Sequence, residues 1–416
     1  MSSRSNRKEK VFVALDVGSS KVLCVIASTS EEPRRYRILG IGNTPSAGVR
    51  FGTVSDVEDA VNAIRESVRE AEFTANVGTV SRVWAAIGGQ TLKSRNCTGV
   101  SVLKGREVTV EDVSLAEANV RRHALRESQG RDLLKLIPQG FACGDVAAVP
   151  RPIGLIGQKL EARMHAVYGS SSNAENLKRC IQRVGLELLN YEPYPWAAAK
   201  AVLSDTEAIC GAAVIDIGAQ TSSLIVISEG IVQLTDVRPF GAEIMTRDLA
   251  VVLGLSLEEA ELLKLNSGTC SLEAIVPGET VDVSSRMGRT KRVSCSRELL
   301  AKTLKSRAQE LFSIYRKILV DSGLFERVQI VVLTGGGALL KGIAAEAESV
   351  LRKRVRLGLP RNIEGEAPLL QRPDAAVALG LIRCADEASE ADSGAQGVRR
   401  MPTLYERLKT LLIGDY

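Results

Sequence analysis

The pattern that constrains this chain most is a motif that occurs twice. Between Ala213 and Gly230 an apolar run enters a turn at Asp216-Ile-Gly-Ala-Gln-Thr221, and a second apolar run leaves it. Val11–Ile26 repeats the arrangement, with Asp16, Gly18, Ser19 and Ser20 in the matching places. Short apolar runs on both sides of a glycine-containing turn predict buried β-hairpins. In each, an acidic residue stands where the first strand enters the turn. Gly18 and Gly218 let backbone approach a ligand closely, and the hydroxyls of Ser19, Ser20 and Thr221 can bond phosphate oxygens. Two such hairpins so far apart in the chain predict a duplicated domain that clasps one polyphosphate.

At 416 residues the chain exceeds one ordinary core, so two or more lobes are expected. A composition of 45% hydrophobic and 25% charged residues is that of a soluble globular protein. A formal charge of +5 is small for this length and gives no indication of nucleic-acid binding. The eight cysteines are scattered, with no Cys-x-x-Cys and no histidine at ligand spacing, which predicts core thiols rather than a metal site. His123 and His165 read as structural. No apolar run approaches the roughly 18 residues of a membrane span, and the basic start passes directly into the first strand. The body is expected to be cytosolic.

Strands and helices alternate through the first part of the chain. Ser55-Asp-Val-Glu58 predicts a capping box, opening a helix whose apolar face is Val57, Ala60, Val61, Ile64, Val68 and Ala71. Between residues 84 and 168 the texture changes to a strand, a charged helix (Val110–Ser128), a Pro/Gly-rich loop and the strand Lys159–Tyr168, which predicts an inserted small α+β domain. Glu192-Pro-Tyr-Pro-Trp196 leads into the small-residue helix Ala197–Leu203, and Asp374–Cys384 is a second helix of this kind. Small faces suit close helix crossing. A capping box at Ser256–Glu259 starts a helix that carries Glu261 and Lys264 on one face. A hairpin over Val281–Cys295 has a basic tip, Arg286–Arg292. The strand Val328–Leu333 runs into Thr334-Gly335-Gly336-Gly337, with a helix expected from Ala338, so that a helix N-terminus and unhindered backbone face a bound nucleotide. Residues 385–400 read as a flexible linker, and 401–416 as an amphipathic helix. In it Leu404, Leu408, Leu411 and Leu412 form one stripe with Tyr405 beside it. That segment is too short to span a bilayer and is expected to lie in the interface of an anionic membrane.

Five pieces in this order, hairpin, Glu192-Pro with its small helix, hairpin, glycine step and small helix, resemble the phosphate-1, connect-1, phosphate-2, adenosine and connect-2 motifs of the actin, Hsp70 and sugar-kinase ATPase superfamily. The position of the insert, Ile137-Pro-Gln-Gly-Phe141 and the C-terminal linker with its amphipathic helix narrow the resemblance to the bacterial cell-division family FtsA. The resemblance covers essentially the whole chain and implies a duplicated actin/Hsp70-like α/β fold with an inserted α+β domain. It divides the chain into 1–83, the first part of one lobe; 84–168, the insert; 169–242, the connecting helix and the second-lobe core; 243–330, an outer subdomain; and 331–384, the adenosine motif and the return to the first lobe. It further implies ATP and Mg²⁺ as ligands, polymerisation, and tethering of FtsZ filaments to the cytoplasmic face of the inner membrane at the septum. The FtsZ C-terminal peptide would dock on 243–330, and the insert would serve self-association and other divisome proteins.

Carried over by motif, Asp16, Gly18, Ser19, Ser20 and Lys21 would line one side of the phosphates and Asp216, Gly218 and Thr221 the other. Glu261 and Lys264 would face the adenosine, with Gly335, Gly336 and Gly337 as the glycine step. Asp16 and Asp216 would hold Mg²⁺ through water, and Glu192 is the candidate base. One departure matters. Where the family usually reads Gly-Gly-Gly-Thr this chain has Gly218-Ala219-Gln220-Thr221, followed by Ser223. Side chains at 219 and 220 are expected to crowd the phosphate or strain a positive φ, so at most weak ATPase activity is expected. A sugar kinase or phosphatase of the superfamily and a pilus-assembly actin homologue are the alternatives, and the last 16 residues separate them from the family reading.

Overall fold

The computed structural model describes residues 9–32, 34–273, 275–283, 293–364 and 371–393. The basic tip Arg286–Arg292 and the segment 401–416 lie outside the described residues.

The chain opens with the hairpin β1 (Val11–Val17) and β2 (Lys21–Thr29), followed by β3 (Tyr36–Pro45) and the short strands β4 (Val49–Arg50) and β5 (Thr53–Val54). Helix α1 (Val57–Ala75) and β6 (Arg82–Ile87) follow. The cap of α1 is Asp56, which accepts from the Asp59 N–H, rather than the Ser55 box. The carboxylate sits directly at the helix start, where it also meets the positive end of the dipole. The buried face is as expected, apart from a half-buried Val57. Its backbone lies on the sheet: a Cβ at Gly42 would stand 1.7 Å from the Ser67 carbonyl oxygen, so only glycine fits there.

The insert is built from β7 (Lys93–Val102), α2 (Val110–Arg126), β8 (Asp132–Cys143), β9 (Val146–Val149) and β10 (Lys159–Gly169). Its four strands form a separate antiparallel sheet in the order β7-β10-β8-β9. Residues 84–87, expected in the insert, belong to β6, which pairs with β1 in the lobe sheet. The chain leaves that sheet after Ile87, at the Gly88-Gly89 turn.

The chain returns through α3 (Ser171–Arg183), β11 (Glu187–Pro193), α4 (Tyr194–Val202) and α5 (Asp205–Cys210). The second lobe holds β12 (Ala212–Ile217), β13 (Ser222–Ser228), β14 (Ile231–Arg238), α6 (Glu243–Leu253), α7 (Leu257–Ser267), β15 (Thr280–Val283), β16 (Val293–Ser296) and α8 (Arg297–Asp321). It ends with β17 (Ile330–Thr334), α9 (Ile343–Leu351) and β18 (Arg354–Leu357). Strand β19 (Ile363–Glu364) pairs with β3, and α10 (Ala376–Ser393) packs back on the first lobe.

The two lobe sheets have equivalent orders, β11-β6-β1-β2-β3 and β18-β17-β12-β13-β14, with β1 and β12 in the same central place. This is the duplication that the two hairpins predict. Between the lobes α4 and α10 cross closely: a Cβ at Gly380 would lie 1.8 Å from the Ala197 carbonyl oxygen. Past Ala385, where a flexible linker is expected, α10 stays helical to Ser393. Beyond Ala385 its apolar residues are alanines alone, but polar groups there are partnered: Tyr36 Oη donates to Asp386, Lys200 Nζ to Glu387 and Lys10 Nζ to Ser389.

Candidate functional site

The two hairpins have the same construction. Asp16 pairs with Leu23 and Val17 with Val22; Asp216 pairs with Ser223 and Ile217 with Ser222. Each four-residue turn is closed by its first glycine, whose N–H donates to the fourth residue's carbonyl, Gly18 to Lys21 (3.0 Å) and Gly218 to Thr221 (2.9 Å). Both turns face one cleft of about 960 Å³ between the lobes. Every residue assigned by motif to nucleotide binding lines it: Asp16, Gly18, Ser19, Ser20, Lys21, Asp216, Gly218, Thr221, Glu261, Lys264 and Gly335–Gly337.

Charge is concentrated on the cleft floor. Burial pushes the Asp16 carboxyl up to about 6, with Lys21 opposing the shift. Burial pushes Asp216 up to about 7, and the charge of Asp16 adds to it. Lys21 Nζ donates to Asp374 Oδ2 at 2.9 Å, and Arg372 pairs with the same carboxylate. Lys264 is not a surface partner of Glu261 alone. Its ammonium bonds Glu261 and Thr246 (both 2.7 Å) and the Ala242 carbonyl, with its side chain only 10% exposed.

The glycine step has a tight geometry. Gly335 takes φ +83°, and a Cβ there would stand 2.1 Å from Asp216 Oδ1. At Gly337 a Cβ would meet the Ile217 side chain at 2.3 Å. Gly336 differs: within 4 Å its Cβ would meet Asp374 Cβ alone, at 3.9 Å, so no protein group demands glycine there. The helix expected from Ala338 is instead a 3₁₀ turn, Gly336–Leu339, and α9 begins only at Ile343. Gly342, at φ +78°, resets the chain direction between them. The end presented to the cleft is therefore the 3₁₀ turn.

Two family profiles match this chain, "Cell division protein FtsA" over residues 213–380 and "SHS2 domain inserted in FTSA" over residues 89–168. The Cell division protein FtsA of Neisseria meningitidis serogroup B is 32% identical over 381 residues, 91% of this chain and 91% of the relative. The chain belongs to the FtsA family. The FtsA of Pseudomonas aeruginosa is 28% identical over 415 residues, covering 98% of each chain, and that of Escherichia coli K12 is 30% identical over 388 residues, 91% of each. Among solved structures, the PilM-PilN type IV pilus biogenesis complex matches with a TM-score of 0.63 at 17% identity, covering 89% of this chain and 97% of that one. MreB5 of Spiroplasma citri bound to ADP matches with a TM-score of 0.58 at 14% identity, covering 92% and 98%. At such identities these likenesses establish the actin-like fold alone.

The cleft departs from expectation in two respects, the φ angles at residues 219 and 220 and the place of Glu192. Neither Ala219 nor Gln220 has a positive φ, so their side chains cost no backbone strain. Gln220 also reaches out of the turn: its Oε1 accepts from the Phe51 N–H at 2.7 Å, on the other lobe. Glu192, the candidate base, does not line the cleft. It is buried, Lys135 pairs with it, and burial raises its carboxyl above the ordinary range. The cleft-facing residue here is its neighbour Tyr194, whose ring lies against Gly88.

Sequence reasoning missed Tyr194, Asn173, Thr246 and Asp374 as lining residues. Asp374 and Tyr194 carried a signal, since each belongs to a connecting motif. Asn173 carried none. Its amide spans Gly52 and Gly88, which are distant in sequence.

Proposed function

We propose that this chain binds an ATP–Mg²⁺ complex in the inter-lobe cleft and polymerises as an actin-like tether between FtsZ filaments and the cytoplasmic face of the inner membrane at the septum. The observation that carries the nucleotide reading is the pair of identically built turns over one cleft, with Gly336 leaving open space beside them. Two buried carboxylates with raised pKa values suit a divalent cation, which would favour their charged forms. Among the described residues no cluster of three or more His, Cys, Asp or Glu could hold a metal. An ion at Asp16 and Asp216 would thus take its other ligands from water and phosphate, as Mg²⁺ commonly does. Backbone N–H groups of the turns and Lys21 would offset phosphate charge, while Glu261, Lys264 and the glycine step would flank the nucleoside. With Glu192 outside the cleft lining, turnover is expected to be slow.

The outer subdomain 243–330 is the proposed dock for the FtsZ C-terminal peptide, with the insert serving self-association and further divisome proteins. This reading rests on the family resemblance. Among the described residues no helix is long and apolar enough to cross a membrane, so attachment would fall to Leu404, Tyr405, Leu408, Leu411 and Leu412. Titration of the full chain with a fluorescent ATP analogue, with and without Mg²⁺, tests the cleft. Co-sedimentation with FtsZ, against FtsZ lacking its C-terminal peptide, tests the partner. Equal sedimentation with both would remove the docking assignment.

A further inference from the structure

Two hydrogen-bonded pieces, one from each lobe, meet at the cleft. The first is the tip between β4 and β5 in the first lobe. Phe51 (φ +50°) and Gly52 (φ +70°) turn the chain there. The tip is fastened from below: the Gly52 N–H donates to Ser19 Oγ at 3.0 Å, and Asn173 accepts from the Val54 N–H and donates to the Gly52 carbonyl, both at 3.3 Å. The second piece is the turn Gly218–Thr221 with the start of α6. The Ala242 N–H donates to the Gly218 carbonyl (2.9 Å) and the Glu243 N–H to the Ala219 carbonyl (2.7 Å). Gly241 lies so close that a Cβ would stand 2.4 Å from the Ala219 oxygen.

One side chain joins the pieces. Gln220, on the second lobe, accepts from the Phe51 N–H on the first at 2.7 Å. Arg50, next to Phe51, adds an opposite charge beside Glu243. The turn itself does not need this side chain, because Gln220 sits at an ordinary negative φ that any residue adopts. What the glutamine adds over a smaller residue is therefore the bridge.

We propose that Gln220 is an inter-lobe clasp that sets how fast nucleotide enters and leaves the cleft. The inference rests on the reading of the cleft as a nucleotide site. Ser19, Gly52, Gln220 and Thr221 line one end of the cleft together, so parting the lobes at that end breaks the Phe51–Gln220 bond. The bond is made between protein groups, not to a ligand. An interaction of equal strength in two states shifts no equilibrium between them, so its loss changes the two rates together and leaves affinity nearly constant.

The test is stopped-flow binding of a fluorescent ATP analogue to the full chain, comparing wild type with Gln220→Met, which keeps the length of the side chain and removes its hydrogen bonding. Gln220→Gly is the second variant should the first misfold. Hydrogen exchange of the peptide spanning residues 50–54 is followed in parallel. Removing one net hydrogen bond should accelerate both association and release by about three- to tenfold. The dissociation constant should stay within about twofold, and the 50–54 peptide should exchange faster. Release at the wild-type rate from a variant that still binds the analogue would overturn the clasp and leave the nucleotide reading standing. Unchanged exchange at 50–54 would overturn it as well. If wild type fails to bind the analogue, the nucleotide reading falls, and the inference about nucleotide rates falls with it.

Discussion

Burial disfavours the charged forms of Asp16 and Asp216, so each carries a proton more readily in the folded chain than in the unfolded one. The sign follows from linkage. A carboxyl whose folded pKa is raised gains stability as pH falls through that value, until the unfolded carboxyl also protonates near 4. The chain without nucleotide should therefore become more stable in this respect between about pH 7 and 4, and Asp216→Asn should abolish much of that slope in urea titrations. A metal–nucleotide complex favours the ionised carboxylates, so saturating ATP–Mg²⁺ should reverse the trend for wild type and not for the variant. Gly336 supplies a second test. A side chain there meets open cleft rather than protein, so Gly336→Asp should fold with wild-type thermal stability and lose binding of the fluorescent ATP analogue by at least tenfold. Full binding by that variant would put the ligand elsewhere. Gly335→Ala should instead destabilise the fold, since its Cβ would collide with Asp216.

At the level of elements, the insert departs in sequence from the first lobe but fastens to the edge strand of the second. Ser94 and Asn96 on β7 and Gln139 on β8 bond the backbone of β14 at Thr235, Gln233 and Val232. His165 on β10 joins them, with Nδ1 against Asn96 (2.7 Å) and Nε2 against Thr235 Oγ1 (3.0 Å). Burial lowers the imidazole to about 4. Here the sign is opposite to that of the carboxyls: the unfolded histidine takes a proton below about 6.5 and the folded one does not, so stability falls from pH 6.5 toward 4. The loss is on the order of 3 kcal/mol, at about 1.4 kcal/mol per unit. His165→Gln should flatten it, seen as a smaller gap between melting points at pH 7 and pH 5; an unchanged gap would place the titrating group elsewhere. These elements also show what could be read in advance. The hairpins, the glycine step and the small faces of α4 and α10 were legible because each is a local pattern with one physical meaning. The docking of the insert, the Asn173 bridge and the Gln220 contact with Phe51 were not, because they join polar side chains to backbone 85 to 169 residues away in the chain. The linker was misread at its start for a related reason: the few apolar residues past Ala385 concealed a helix held by Tyr36, Lys200 and Lys10.

For the whole molecule, the last described helix ties the cleft to the first lobe. Helix α10 begins beside the cleft, where Asp374 holds Lys21, and further along it is tied by Lys200 of α4 and by Lys10, next to β1. The sequence runs on from Ser393 as a tail to Tyr416. In that tail Leu404, Leu408, Leu411 and Leu412 recur at helical spacing, with Arg399, Arg400, Arg407 and Lys409 around them. Burying four leucines in a membrane interface yields roughly 6–12 kcal/mol at 1.5–3 each. Ordering some ten residues costs a comparable amount, at about 1–2 kcal/mol per residue. A single tail should then bind weakly and reversibly, and firm attachment should need many tails on one polymer, where effective concentration multiplies the weak contacts. Deleting Met401–Tyr416, or changing Leu408 and Leu411 to glutamate, should leave the melting point unchanged and abolish sedimentation with anionic liposomes. Wild-type sedimentation should grow more steeply than linearly with protein concentration under conditions that favour polymer, and should weaken with salt as the basic residues are screened. Undiminished liposome binding by the truncated chain would move the anchor off this segment and remove the argument that membrane attachment here depends on assembly.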